Sequence, residues 1–389
     1  MKAVIVTYNK FPNGDAGSTR DFMFARMLKE KQFDVLVIGM GISMGKEKKF
    51  YEGIEYTSLR TKSKNTYSKL MSFIQYGWTL INYLGKYSRK EKIDILWIVG
   101  LPIHAALMLK SFAKRSKIIL VHDSVEWYSP NQFSLGVLSP SFISKEINNR
   151  FIIDKSFIVI AISKYLEKYY SDRSIRTIRI PVVMDMREVT LSIPKVDTST
   201  KIKIMYAGSP GKKDFLGYIL EGVCLLTDEQ LEKLEFTIMG IEESRINELF
   251  RNRISDLSRI KKSLFILGKV PREVVLDNLK LSDFSVLLRS SKQRYAKAGF
   301  PTKVVESLLV GTPIILNLTS DLSDYITDGE NGIVVEDCSP KQFYLALQRA
   351  MITDFTTRQK MRIMARKSFE ANFDYRLYIE TLESITSII

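Results

Sequence analysis

Two cysteines, two histidines and no long uncharged run: the absences in this 389-residue chain exclude several classes of protein before any motif is read. Cys224 and Cys338 are too few for a disulfide framework and stand in no metal-binding spacing, which suits a reducing cytoplasm. No Asp-x-Asp pair is present to hold a divalent cation on a diphosphate, and no zinc spacing or Ser/His/Asp order suggests a hydrolase; no metal or other cofactor is expected. The longest uncharged run, Leu70 to Gly85, would span about 24 Å as a helix, short of the roughly 30 Å hydrocarbon core of a bilayer. The first residues, MKAVIVTYNKFPNG, carry too short an apolar run for a signal peptide and read as a first strand.

Acid is also in deficit. Lysine and arginine number 58 against 43 aspartates and glutamates, a net charge of +15, which favours phosphates, anionic lipid or nucleic acid as partners without choosing among them. Hydrophobic residues make up 45% of the chain and charged ones 26%, the balance of a soluble globular protein with room for two domains.

Strand, loop and helix alternate from the start, the pattern of a doubly wound parallel sheet. Strands are expected at Ala3 to Tyr8, Asp34 to Gly39, Asp94 to Val99, Lys117 to Val121 and Phe157 to Ile162. Ligands of such sheets gather beyond the carboxyl ends of strands, so the small-residue loop Asn13 to Thr19, with Gly17, should face a crevice. His122, Asp123 and Glu126 are expected just past a strand end, where Asp123 and Glu126 could orient or deprotonate an acceptor hydroxyl. The segment Gly39 to Gly45 misses the spacing of a dinucleotide fingerprint.

Residues 60 to 92 hold eight lysines or arginines against Glu91 alone. They flank an amphipathic helix over 70 to 85, with Ser72, Gln75, Thr79 and Asn82 as its polar stripe. Such a helix fits either an anionic membrane surface or a sheet with a solvated basic rim.

A polar stretch, Thr190 to Thr200, reads as a linker, and a second α/β series begins at Lys203. The strand Ile204 to Ala207 runs into Gly208-Ser209-Pro210-Gly211-Lys212-Lys213-Asp214 and a helix start, an anion site of backbone N–H groups and ammonium groups. The P-loop spacing fails, and which of Lys212 and Lys213 points inward stays open. Further strands are expected at Glu235 to Met239, Leu264 to Leu267 and Asp283 to Leu288, with Arg289 at the end of the last as a candidate for phosphate contact. Ala298 to Ile315, AGFPTKVVESLLVGTPII, then reads as a loop, a short helix carrying Lys303 and Glu306, a stop at Gly311 and a buried strand.

Pro301, Lys303, Glu306, Gly311 and Pro313 carry a resemblance. Their pattern resembles the donor-binding signature of family 4 glycosyltransferases of the GT-B fold, most closely a bacterial branch that makes surface polysaccharides such as capsule, O-antigen or exopolysaccharide. Of that signature's two glutamates the second is Glu306, while Ala298 holds the place of the first. The phrases Ile180 to Asp185, Gly208 to Asp214, Asp328 to Gly332 and His122 to Tyr128 are similar to segments of the same family.

The resemblance implies an α/β protein of two Rossmann-like domains facing each other across a cleft. It places an acceptor-binding domain at 1–190, a nucleotide-sugar domain at 200–370, and a helix over 371–389 returning to the first. It also implies sugar transfer from a nucleotide-sugar to a saccharide or lipid-linked saccharide, with retention of configuration, in the cytoplasm or at the inner face of the plasma membrane. Glu306 would accept hydrogen bonds from the ribose, and Gly17, Gly208, Ser209, Gly268, Val270, Gly299 and Phe300 would line the donor. His122, Lys212, Lys213, Arg289 and Lys303 would serve the chemistry, with Asp123 and Glu126 on the acceptor side. A nucleotide-sugar epimerase of similar architecture is the alternative; a nucleic-acid-binding protein would explain the charge but leave the Lys303/Glu306 helix without a purpose.

Overall fold

The computed structural model describes residues 1–12, 14, 16–42, 49–60, 66–189, 201–251 and 254–386. The expected linker Thr190 to Thr200, together with Asn13, Gly45, Lys62 and Lys64, lies outside them. The chain divides into two compact units, Met1–Asp185 with Tyr375–Ile389, and Met186–Asp374.

The first unit is an eight-stranded sheet: β1 (Lys2–Thr7), β2 (Asp34–Ile42), β3 (Lys49–Tyr51), β4 (Ile54–Arg60), β5 (Ile95–Val99), β6 (Ile119–Ser124), β7 (Phe157–Ala161) and β8 (Arg176–Arg179). Their order is β3-β4-β2-β1-β5-β6-β7-β8. All neighbours run parallel except β3 and β4, and Ile5 lies opposite both Val37 and Trp97. Strands covered on both faces need unbroken apolar runs, and KAVIVT, ILWIV and FIVIA are buried throughout. Helix Ala16–Glu30 covers one face through Met23, Phe24, Met27 and Leu28. The strand order reverses between β1 and β5, so residues after Thr7 border a switch point.

The β3–β4 hairpin is absent from the sequence reading. Its turn is Glu52-Gly53, with φ of 44° and 74°, the left-handed pair that a two-residue hairpin requires. Strand β6 runs to Ser124, three residues beyond the expected end at Val121, which moves His122 and Asp123 from a strand end into the sheet.

The second unit is six parallel strands: β9 (Ile202–Ala207), β10 (Leu234–Met239), β11 (Leu264–Gly268), β12 (Phe284–Leu287), β13 (Ile314–Asn317) and β14 (Gly332–Val335). The order β11-β10-β9-β12-β13-β14 is the doubly wound arrangement of two mononucleotide-binding halves, with its switch point between β9 and β12. Both units are thus Rossmann-like. Helix Phe355–Asn372 ties this unit together from one side. Its buried Arg362 donates to the carbonyls of Lys280 and Ser282, each at 2.6 Å, and its Arg366 donates to the Leu309 carbonyl at the end of helix Thr302–Leu309.

After Asp374 the chain rejoins the first unit. In place of the single helix expected over 371–389, the described residues after Asp374 form two 3₁₀ turns, Tyr375–Tyr378 and Glu380–Leu382, followed by helix Glu383–Thr386. The breaks let Tyr375, Leu382 and Ile385 all enter the first core. The Tyr375 hydroxyl donates to Glu30 at 2.6 Å, and Lys31 pairs with Glu380 and Glu383.

Candidate functional site

The β9–β12 switch point of the second unit collects Gly208, Ser209, Lys212, Lys213, Arg289 and Lys303 from the expected residues. Gly208 follows β9 with φ of 120°, and a Cβ there would meet Lys303 Cε at 2.4 Å. Glycine is required twice over, for the backbone angle and for the lysine stem that crosses it. Lys303, in the first turn of helix Thr302–Leu309, donates to Asp214 and to the Tyr206 hydroxyl, the latter at 2.9 Å. Arg289, just past β12, reaches the same carboxylate through Nε at 2.8 Å.

Arg289 is aimed by its backbone. Its N–H donates to Asn317 Oδ1 at 2.9 Å and its carbonyl accepts from Asn317 Nδ2 at 2.7 Å, a two-bond clamp from β13. The Tyr295 hydroxyl donates to the Lys213 carbonyl at 3.0 Å and holds the glycine-lysine loop. Within that loop Lys212 is exposed and Lys213 half-buried.

Asp214 is buried, which opposes its ionisation, yet the Arg289 and Lys303 charges outweigh burial and hold its carboxyl below the usual range. Burial pulls the Lys303 ammonium downward, against the pull of Asp214. One carboxylate faces two cations here. The surplus positive charge, beside exposed Ser209 and a sheet end, suits a diphosphate.

Glu306 lies one turn beyond Lys303 and serves a different cluster. Its carboxylate accepts from Arg272 Nε at 3.1 Å, and Arg272 Nη1 donates to Glu188 at 2.5 Å. The Glu306 side chain is 17% exposed. Burial raises its pKa while the Arg272 guanidinium works against the rise. A carboxylate with one oxygen on an arginine retains acceptor capacity on the other, as ribose hydroxyls need. Lys303 and Glu306 share a helix but not a partner. Gly268 takes φ of 62° at the end of β11, with Val270 half-buried after it.

Phe300, Gly299, His122 and Asp123 make structural contacts here. Phe300 packs its ring on Tyr325 and Phe373, centroids 5.6 and 5.7 Å away, and Gly299 is buried as the cap of the short helix Arg294–Ala298. Ala298 is fully buried, so no carboxylate stands at the place of the first glutamate. His122 is 8% exposed and meets Phe157 edge-on inside the sheet. Burial pushes its pKa down to about 4, against a hydrogen bond with the Ile98 backbone, so the ring is neutral at pH 7 and Nδ1 has no partner among the described residues.

Asp123 is likewise a buried structural ion. Arg20 grips it through Nε and Nη2 at 2.8 and 2.9 Å while donating to the carbonyls of Pro181 and Ile180. The extra length of β6 carries both His122, expected to serve the chemistry, and Asp123, expected on the acceptor side, inside the sheet rather than just past its end. Glu126, beyond the strand, is half-buried. Gly17 is not in a loop but in the first turn of helix Ala16–Glu30, where a Cβ would lie 2.6 Å from the Asn9 amide.

Residues that the sequence reading did not single out complete both clusters. Asp214 closes the glycine-lysine turn that was recognised, Tyr206 precedes it on β9, and Arg272 follows the Lys269-Val270-Pro271 bend; lying next to noticed motifs was their only signal. In the first unit Asp21 accepts from Thr7 and Asn9 at 2.7 and 2.8 Å at the β1 end. Burial pushes its carboxyl up to about 7. Among the described residues no group of three or more His, Cys, Asp and Glu could hold a metal ion.

Residues 193–368 match the family described as Glycosyl transferases group 1. An uncharacterized glycosyltransferase of Methanocaldococcus jannaschii is 21% identical over 287 residues, 70% of this chain and 68% of the relative. Among solved structures, sucrose-phosphate synthase from Thermosynechococcus elongatus superposes with a TM-score of 0.73 at 12% identity, covering 99% of this chain and 98% of that one. HepE of Anabaena, in complex with UDP and glucose, gives 0.66 at 13%, with both chains covered fully. The fold is that of the GT-B glycosyltransferases.

Proposed function

We propose that this chain is a glycosyltransferase that moves a sugar from a nucleoside diphosphate donor to a saccharide or lipid-linked saccharide acceptor, with retention of configuration. The observation that carries the reading is the β9–β12 switch point, where Lys303 and Arg289 share one carboxylate and leave positive charge over. Supporting it are the match of this region to group 1 glycosyl transferases and the presence of UDP and glucose in HepE, which is similar in fold.

In the reaction, the bond between the anomeric carbon and the diphosphate oxygen breaks and an acceptor oxygen takes the carbon, its proton passing to the departing diphosphate. Negative charge grows on the departing diphosphate. Fixed cations at Lys303, Arg289 and the Lys212-Lys213 loop match that charge better in the transition state than in the bound donor, which lowers the barrier. Glu306 accepts from the ribose hydroxyls and fixes the donor's other end, so that binding energy remote from the reacting carbon orients it. The acceptor belongs to the first unit, and surface-polysaccharide synthesis at the inner face of a bacterial plasma membrane is the setting.

A thermal-shift series with UDP-, GDP- and dTDP-sugars tests the donor claim, since a ligand of the folded state raises the melting temperature. At least one should stabilise the wild type and fail to stabilise Glu306→Ala. Isomerisation of the donor without any acceptor would replace transfer by an epimerase reading, and no shift with any nucleotide would remove both.

A further inference from the structure

The helical layer over one face of the first unit leaves large apolar side chains in water. Helix Thr66–Ser88 buries Tyr76, Leu80 and Leu84 beneath it and turns Ile74 and Trp78 outward, Trp78 being 66% exposed. Helix Ile103–Ser116, packed against it, exposes Leu107. Beyond β6 the segment 129–153 forms 3₁₀ turns, helix Pro140–Ile147 and a π turn at Asn148–Ile152; the helix and the π turn pack on helix Ile103–Ser116, and the 3₁₀ turn Gly136–Leu138 packs on helix Pro140–Ile147. This segment exposes Leu135 by 64%, Leu138 by 75% and Phe151 by 73%. Isolated exposed leucines mean little, but here six large apolar residues fall on elements that follow or pack on one another.

The charge carried by the same two helices and their ends points to the partner. Residues 66–117 hold nine lysines and arginines against two acids. Of these, Lys86, Arg89, Lys90, Lys114, Arg115 and Lys117 are exposed. A second copy of the same face would set these cations against one another, whereas an anionic bilayer neutralises them while taking up the apolar tips. Among the described residues no helix is long and apolar enough to cross a membrane. We infer that this layer, led by Trp78, Leu135, Leu138 and Phe151, is a docking surface for an anionic lipid bilayer, inserted at the level of the headgroups. It deepens the membrane setting proposed above and rests on that reading for its purpose, which is to bring the first unit to a lipid-linked acceptor.

The full chain provides its own reporter. Of three tryptophans, Trp97 and Trp127 are buried and Trp78 is not. With vesicles of phosphatidylcholine containing about 30 mol % phosphatidylglycerol, the chain should co-sediment at moderate salt, its emission should shift to the blue, and brominated acyl chains should quench it. Neutral vesicles should bind at least about tenfold more weakly. Because the substituted side chains are exposed, Trp78→Ser/Leu135→Ser/Leu138→Ser should keep its melting temperature and lose about tenfold or more in partitioning.

Equal binding to neutral vesicles, an unquenched Trp78, or full binding by the triple variant would each overturn the inference. Self-association abolished by the same substitutions, without vesicle binding, would transfer the surface to a second copy. The donor thermal shift is independent of all these outcomes, so a failed membrane surface and a failed glycosyltransferase reading give different results.

Discussion

At the scale of single residues, under the proposed function donor binding belongs to the Glu306 cluster of the second unit and charge stabilisation to the Lys303 cluster. Glu306→Ala removes an acceptor for charge-assisted hydrogen bonds worth about 1.5–3 kcal/mol, and titration calorimetry should show donor affinity lower by about ten- to a hundredfold. Arg272→Met acts through Glu306: without the guanidinium, burial raises the carboxyl pKa further. Donor affinity measured against pH should then begin its acid-side fall at a higher pH than in the wild type. His122 carries a prediction of stability. Its folded pKa of about 4 lies below the ordinary 6.5, so its contribution is present above pH 6.5 and disappears as pH falls towards 4. The loss amounts to about 3 kcal/mol. Asp21 works in the opposite sense, its folded value of about 7 lying above 3.8, so the stability it lends is complete below 3.8 and lost as pH rises through 7. The two partly cancel in the wild type. Urea titrations of His122→Gln at pH 7 and pH 4.5 should uncover the difference, with the variant losing less on acidification than the wild type.

At the scale of elements, legibility followed how each signal is encoded. Parallel strands such as ILWIV and FIVIA announce themselves by unbroken apolar runs, and helix Thr302–Leu309 by Val304, Val305, Leu308 and Leu309 ahead of Gly311. The β3–β4 hairpin escaped because its alternation is short, half-exposed and turns on Glu52, a residue seldom found at positive φ. The end of β6 escaped because His122 and Asp123 are polar. The approach of Arg20, 103 positions away in the chain, makes the burial of Asp123 tolerable, and His122 is buried as a neutral ring. Asp214 and Arg272 were illegible for the same reason, since an ion pair across a fold has no local period. The glycine that follows β9 was legible, and its role can be tested. In Gly208→Ala the new methyl collides with the Lys303 stem at an unfavourable φ, so thermal melts should show a loss of about 1–3 kcal/mol. Turnover should fall with it as Lys303 shifts off Asp214.

At the scale of the whole molecule, the last residues bind the fate of the first unit to the far end of the chain. A chain ending at Asp374 lacks Tyr375, Leu382 and Ile385 from that core, each worth about 1.5–3 kcal/mol when fully buried. Against a domain stability of about 5–15 kcal/mol this is a severe loss. Limited proteolysis should cut the first unit of the truncated protein readily, while a fragment covering 186–374 persists and still responds to the nucleotide-sugar that stabilises the full chain. Equal resistance of both units to protease would show that the returning segment is dispensable.

The same return dictates an order of events on the ribosome. The lobe whose synthesis begins first cannot be finished until translation has passed through the other one, so the early strands must wait, partly assembled, for a closing piece still unmade. Met186–Asp374, continuous in the message, can complete itself as it emerges. A stalled or prematurely terminated chain would therefore release a folded second lobe attached to a first one that never closed.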